Sequence, residues 1–413
     1  MTPRIGATVE ICQAGTVVSF APFQAIRYSA GPDLSAVVSP PYDVISDDGR
    51  LELEATDPAN SVRLDFPRDE GGEDRYLLAR QRLRQWLLDA TLTVDATPTL
   101  SIYRMTATDT AGRVTVTTGI IGQLGLEQPG AGGILPHEQT TSKDKADRLS
   151  LIRATRANLS PIWGLSMSEG LAAAYAPTGS PHHRAIDGEG VLHELWIVDD
   201  EQRIGALCAA VNASDVVVAD GHHRFETAIA YRSERPADDV GAGALMAFIV
   251  ELSPEELEVR AIHRIIRALI GSEDVVTLFS GYCDLEPVDR VDTTLAFGLA
   301  DHGAMALITP GGSWLARPRK GAFPPALTLD SERVAHVLRD AGAEVQFHHD
   351  VDTVRDAVAS GGAAAGVLLR PATVTQIRLV AEHRTRMPAK TTFFWPKPRT
   401  GMTFRPLDPP TAS

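Results

Sequence analysis

Apolar positions recur along this chain at two periods, one helical and one extended. Between about Glu73 and Asp89, Tyr76, Leu77, Leu83, Trp86 and Leu87 fall at three- and four-residue spacings, which predicts a helix with one buried stripe. Thr99–Met105 and Val114–Leu126 alternate instead, and they flank the turn Thr110-Ala111-Gly112, the pattern of a β-hairpin. Val17–Tyr28 is β-rich, and Pro40-Pro41-Tyr42-Asp43 leads rigidly into Val44–Ser46. A Gly-rich bend at Pro129–Gly133 and a polar stretch, Leu135–Arg148, precede a helix expected from Lys143 through Thr155. Asn158-Leu159-Ser160-Pro161 stops that helix, because a residue before proline avoids the α region. Asp215–Ala219 is β-branched and apolar, Phe225–Arg232 favours helix, and Ala244–Leu252 reads as another buried strand. His263-Arg264 reads as a helix start.

Beyond about residue 270 the units shorten. Strands are expected at Ala304–Ile308, Glu344–His348 and Gly366–Leu369, alternating with helices at Ser331–Ala341, Val351–Ala359 and Val374–Arg384. The pattern predicts an α/β (α+β) protein with a main region over residues 1–268 and a smaller α/β unit over 269–386. Residues 387–413 should supply a last strand and a tail packing back on the first region.

Composition narrows the function classes. The 413 residues are 44% hydrophobic and 22% charged, an ordinary globular balance, and too long for one typical core. A net charge of −14 argues against a broad nucleic-acid surface, which needs clustered Lys and Arg. Met1-Thr2-Pro3-Arg4 leads into no apolar signal segment, and the longest apolar runs are strand-sized, so a cytoplasmic protein without membrane contact is expected. Cys12, Cys208 and Cys283 lie far apart, which excludes a disulfide framework and a thiolate zinc site.

The sharpest chemical signal is Val216-Val217-Val218-Ala219-Asp220-Gly221-His222-His223-Arg224-Phe225. A strand, a Gly turn and a helix start gather unpaired backbone N–H groups at one point, a setting that attracts phosphate. Gly221 permits the sharp turn, Arg224 offers a planar fork to phosphate oxygens, and Asp220 at the strand's carboxyl end is the candidate Mg²⁺ ligand. A plain Asp-capped helix explains the same letters without a ligand. Pro136-His137-Glu138-Gln139-Thr140 provides a His–Glu pair for base chemistry, with Lys143 in reach of phosphates; a solvated loop before a helix is the bland alternative. Tyr42 and Asp43 are presented by two prolines. Met387-Pro388-Ala389-Lys390-Thr391-Thr392-Phe393-Phe394-Trp395-Pro396-Lys397 joins lysines, hydroxyls and aromatics suited to a nucleotide, or simply closes the sheet as a lysine-guarded edge strand.

Four of these motifs resemble, in order, the bacterial and archaeal family called domain of unknown function 1015: Pro40–Ile45, Pro136–Thr140, Ala219–Ala228 and Met387–Phe394. The turn itself looks like the phosphate-binding turn of the ParB/sulfiredoxin superfamily, which includes free serine kinases. That resemblance implies a ParB/sulfiredoxin-like nucleotide-binding core in which Gly221, His222, His223 and Arg224 contact phosphates. Sulfiredoxin chemistry is not implied, since histidines stand where its cysteine would be, and no DNA-binding helix-turn-helix is present. The expectation is therefore a Mg-dependent phosphotransferase that uses ATP or ADP on a small hydroxyl compound, free L-serine first, with a homodimer left open. Glu138, Asp43, His137 and Asp220 would carry the chemistry, and Lys143 and Lys390 would assist in holding phosphates. A nucleotide-binding switch without DNA contact is the rival from another class.

Overall fold

The computed structural model describes residues 18–29, 31, 33–109, 112–126, 132–138, 145–270 and 274–408. Lys143, Cys12 and the Thr110-Ala111 part of the hairpin turn lie outside the described residues. The protein is a mixed α/β structure built on two large sheets.

The first sheet runs in the order Ile134–Pro136, Val216–Asp220, Ile162–Ser166, Ala244–Glu251, Val114–Gly125, Leu100–Thr108, Leu192–Val198, His183–Ile186, with Phe20–Ala21 on the flank of Val114–Gly125. Its strands Val216–Asp220, Ile162–Ser166 and Ala244–Glu251 read as nearly unbroken apolar runs because both faces are covered. Along Ala244–Glu251, Met246, Phe248 and Val250 enter one core, while Leu245, Ala247 and Ile249 enter the other. The hairpin expected from alternation is present, Leu100–Thr108 pairing antiparallel with Val114–Gly125. The helix at Arg75–Leu88 starts on Asp74, whose carboxylate accepts the N–H groups of Tyr76 and Leu77.

The second sheet is antiparallel and holds Cys283–Val288, Gly312–Pro318, Met305–Thr309, Ala365–Leu368, His263–Ala268 and Glu344–His348. His263-Arg264 therefore opens a strand, not a helix. Ile265 and Ile266 alternate between two separate cores, which a two-residue period satisfies and a helical one does not. This strand joins the second sheet ahead of the division expected at residue 268, and the helix Val374–Glu382 turns Ile377 and Ala381 into the core of the first. The strand Thr392–Trp395 pairs with Glu258–Ala261 between the two sheets, and the last strand, Arg405–Pro406, pairs with Ala157–Asn158. Among the described residues no helix is long and apolar enough to cross a membrane.

Candidate functional site

The strand Val216–Asp220 buries four apolar residues and delivers Asp220 at its carboxyl end. Gly221 follows at φ +84°, and the helix His222–Ser233 begins at once, without a side-chain cap. A crevice at the carboxyl end of a strand, facing a helix start, is where α/β folds place ligands. Only glycine suits position 221. The backbone is left-handed there, and a Cβ would stand 2.9 Å from Arg224 Nε and 3.0 Å from Ile162 Cγ2. Gly221→Ala is expected to destabilise the protein by about 1–2 kcal/mol, read as a lower denaturant midpoint. An unchanged midpoint would mean that the turn relaxes at no cost.

Asp220 is held from both sides. Its Oδ2 lies 2.8 Å from Arg224 Nη2, and its Oδ1 pairs with Lys397 Nζ. Burial favours the neutral acid, but Lys397 and then Arg224 outweigh it and keep the carboxyl below the usual carboxylate range. The other Arg224 terminal nitrogen donates to the Pro161 carbonyl. Each terminal nitrogen of Arg224 thus has a partner within the protein, where the sequence offered the fork to phosphate. Asp220 in turn does not fit a metal ligand, because both of its oxygens already face cations. Among the described residues no group of three or more His, Cys, Asp or Glu side chains is arranged to hold a metal ion.

Glu138 is a buried carboxylate, only 9% exposed. Its Oε1 accepts the N–H groups of Thr391 (3.2 Å) and Thr392 (2.8 Å) and the Thr392 hydroxyl (2.6 Å); its Oε2 accepts the N–H of Lys390 (3.1 Å). His137 lies behind it. Its Nδ1 donates to the Val218 carbonyl, and its Nε2 lies 2.9 Å from Thr392 Oγ1. Its Nε2 also lies 3.5 Å from Glu138 Oε1. Burial would raise Glu138, yet His137 and Thr392 overcome it and hold the carboxyl at about 2. The pair clamps residues 387–392 to the strand Val216–Asp220. It corrects the expectation of Glu138 as general base and His137 as its helper, since four donors already occupy the carboxylate.

Beside this clamp lies a cleft of about 460 Å³. It gathers most of the residues singled out by sequence: Asp43, Glu138, Asp220, Gly221, His222, His223 and Lys390. Asp43 stands exposed on the short turn Tyr42–Val44, and no hydrogen bond or ion pair engages its carboxylate among the described residues. The turn is steadied by Tyr42, whose ring faces the Arg148 guanidinium at 3.9 Å. His222 Nε2 is buried and has no hydrogen-bond partner among the described residues. Burial and the neighbouring His137, 5.1 Å away between ring centroids, push His222 down to about 3, so it is neutral near pH 7.

Three of the motifs gathered here fall within residues 20–332, which match the family described as protein of unknown function (DUF1015). The chain belongs to that family.

Other comparisons are more distant. No curated protein matches the chain. Solved structures similar to this DUF1015 protein include a mutant free serine kinase in complex with AMP, at 14% identity and TM-score 0.36, covering 63% of this chain and 84% of that one. They also include a conserved hypothetical protein from Pyrococcus furiosus (13%, TM-score 0.35, 63% and 87%) and C-terminally truncated SbnI from Staphylococcus aureus (12%, TM-score 0.37, 65% and 82%).

Lys397, one of the two lysines of the stretch read as suited to a nucleotide, reaches the DUF1015 cleft from the loop after Thr392–Trp395, with its ammonium 4.8 Å from the centre of the Phe393 ring. Three further lining residues were not anticipated. Phe347, His348 and His349 enter from the second sheet, and His349 stacks on Phe393 at 4.3 Å and 7°. The only sequence signal for them was the His348-His349-Asp350 run at a strand end, with nothing to connect it to the Asp220 turn.

Proposed function

We propose that this DUF1015 protein binds a nucleotide in the 460 Å³ cleft and transfers a phosphoryl group from it to a small hydroxyl compound. One observation carries the reading: an unengaged carboxylate (Asp43), a lysine (Lys390) and an uncapped helix start converge on one cleft from three distant parts of the chain. Phosphoryl transfer asks chiefly for positioning and charge neutralisation, which such a set supplies. The likeness of Asp220–Arg224 to ParB/sulfiredoxin phosphate-binding turns points the same way. ATP or ADP is the donor, and free L-serine the first acceptor to try. Asp43 takes the acceptor's hydroxyl proton as that oxygen bonds to the terminal phosphorus. The bond from that phosphorus to its bridging oxygen breaks, and the nucleotide leaves one phosphate shorter, keeping the bonding pair on that oxygen. Magnesium commonly accompanies such nucleotides, but Asp220 is taken by Lys397 and Arg224, so no step is routed through a metal.

Phosphorus NMR on purified protein with ATP, ADP or CTP and small hydroxy compounds tests the proposal. A new phosphoester resonance supports it. Nucleotide binding without transfer would replace it with the regulatory switch, and absence of nucleotide binding would remove both. Lys390 is exposed on the rim of the cleft. Lys390→Ala is expected to weaken nucleotide binding by about 1.5–3 kcal/mol in calorimetric titration, the worth of a charge-assisted contact. Unaltered affinity would take the phosphates away from this rim.

A further inference from the structure

A larger cleft of about 810 Å³ lies between the two sheets, and Val44, His349, Phe393 and Lys397 line both it and the smaller one. The two are neighbouring chambers with a shared wall, and Lys397, which pairs with Asp220, stands at their junction. Part of the larger chamber is a two-stranded ribbon, Glu258–Ala261 against Thr392–Trp395. Strand alternation turns Glu258, Arg260, Phe393 and Trp395 to one side of that ribbon, since Glu258 opposes Trp395 and Arg260 opposes Phe393.

Arg260 is preorganised. Its guanidinium lies 3.5 Å from the centre of the Trp395 ring, and its Nε donates to Glu258 Oε1 at 2.6 Å. Glu258 is itself fixed on the far side by the Thr115 hydroxyl at 2.5 Å, a residue of the first sheet. These contacts use the flat face and the inner nitrogen. No acceptor engages the two terminal nitrogens among the described residues, and the side chain, 24% exposed, lines the cleft. A planar fork held flat on an indole, with its end unspent, suits a carboxylate. Leaving histidines aside, basic and acidic side chains lining this cleft are equal in number, four each. A ligand with several negative charges would meet those carboxylates, whereas one carboxylate is matched by Arg260.

We propose that the larger cleft is the acceptor chamber and takes a hydroxyl-bearing monocarboxylate, its carboxylate on the terminal nitrogens of Arg260. The inference rests on the phosphotransfer reading for the identity of the neighbouring chamber, and its test separates the two. Saturation-transfer NMR on the full chain would compare L-serine, D-glycerate and pantoate with their neutral carboxamides, alongside an ADP titration. At least one acid should bind, at least about tenfold more tightly than its amide, as expected for loss of a charge-assisted contact. Arg260→Ala should erase that difference and leave ADP affinity unchanged, and Arg260→Lys, which keeps the charge but not the fork, should recover only part of it. The Lys variant also serves should the Ala variant fail to fold. Acids and amides binding alike, acids binding the variants as they bind the wild type, or no acid binding at all would overturn the acceptor chamber whatever ADP does. Arg260-dependent acid binding without any ADP binding would keep this site and remove the phosphotransfer reading.

Discussion

Glu138→Ala is expected to lower the unfolding free energy by about 3–5 kcal/mol at pH 7, the cost of leaving several buried donors unsatisfied. The variant leaves the N–H groups of Lys390, Thr391 and Thr392 and the Thr392 hydroxyl without their acceptor. The pH dependence follows from the direction of the shift. Glu138 goes from an ordinary value of 4.5 to about 2 on folding, so it binds protons more weakly in the native state. Its contribution, about 3 kcal/mol for a shift of that size, is complete above the unfolded value and disappears as pH falls through the folded one. Urea unfolding of wild type and variant should therefore differ most above pH 5, with the gap closing toward pH 2. A variant within about 1 kcal/mol of wild type at pH 7 would rule out the clamp, that being the scale of an ordinary substitution.

Asp43→Asn should act on rate, not on stability. The side chain is exposed and unengaged, so its removal disturbs no packing and no hydrogen bond among the described residues. If it takes the acceptor's proton, turnover should fall by about 10²–10⁴-fold. Nucleotide affinity should stay within about twofold, because the base works in the transition state and not in the ground state. Paired rate and binding titrations decide this. Parallel loss of both would make Asp43 a binding group, and an undiminished rate would move the base elsewhere in the cleft.

Local elements were readable because their causes are local. The Asp74-capped helix, the Leu100–Thr108 hairpin partner and the strand-turn-helix at 216–233 each follow from periodicity and one or two punctuating residues. The family resemblance was readable for the same reason, through short ordered motifs. What each polar residue does was not readable, since partners decide that and the partners are remote. Asp220 appears as a free metal ligand until Lys397, 177 positions away, is seen on it. Glu138 appears as a base until amides more than 250 positions away close around it. His263–Ala268 was misread as helical because its two faces belong to different cores, so no single stripe marks it.

The segment that completes the site is made after everything it contacts. Strand Thr392–Trp395, the amides that close around Glu138 and the lysine that pairs with Asp220 all come from residues 390–397. Until they emerge, the nascent chain carries Glu138 without its amide donors and Asp220 with Arg224 alone, and the ribbon strand Glu258–Ala261 has an open edge. The contacts that seat the cleft thus form only after residues 387–397 have joined the chain, and a product ending before residue 387 lacks them.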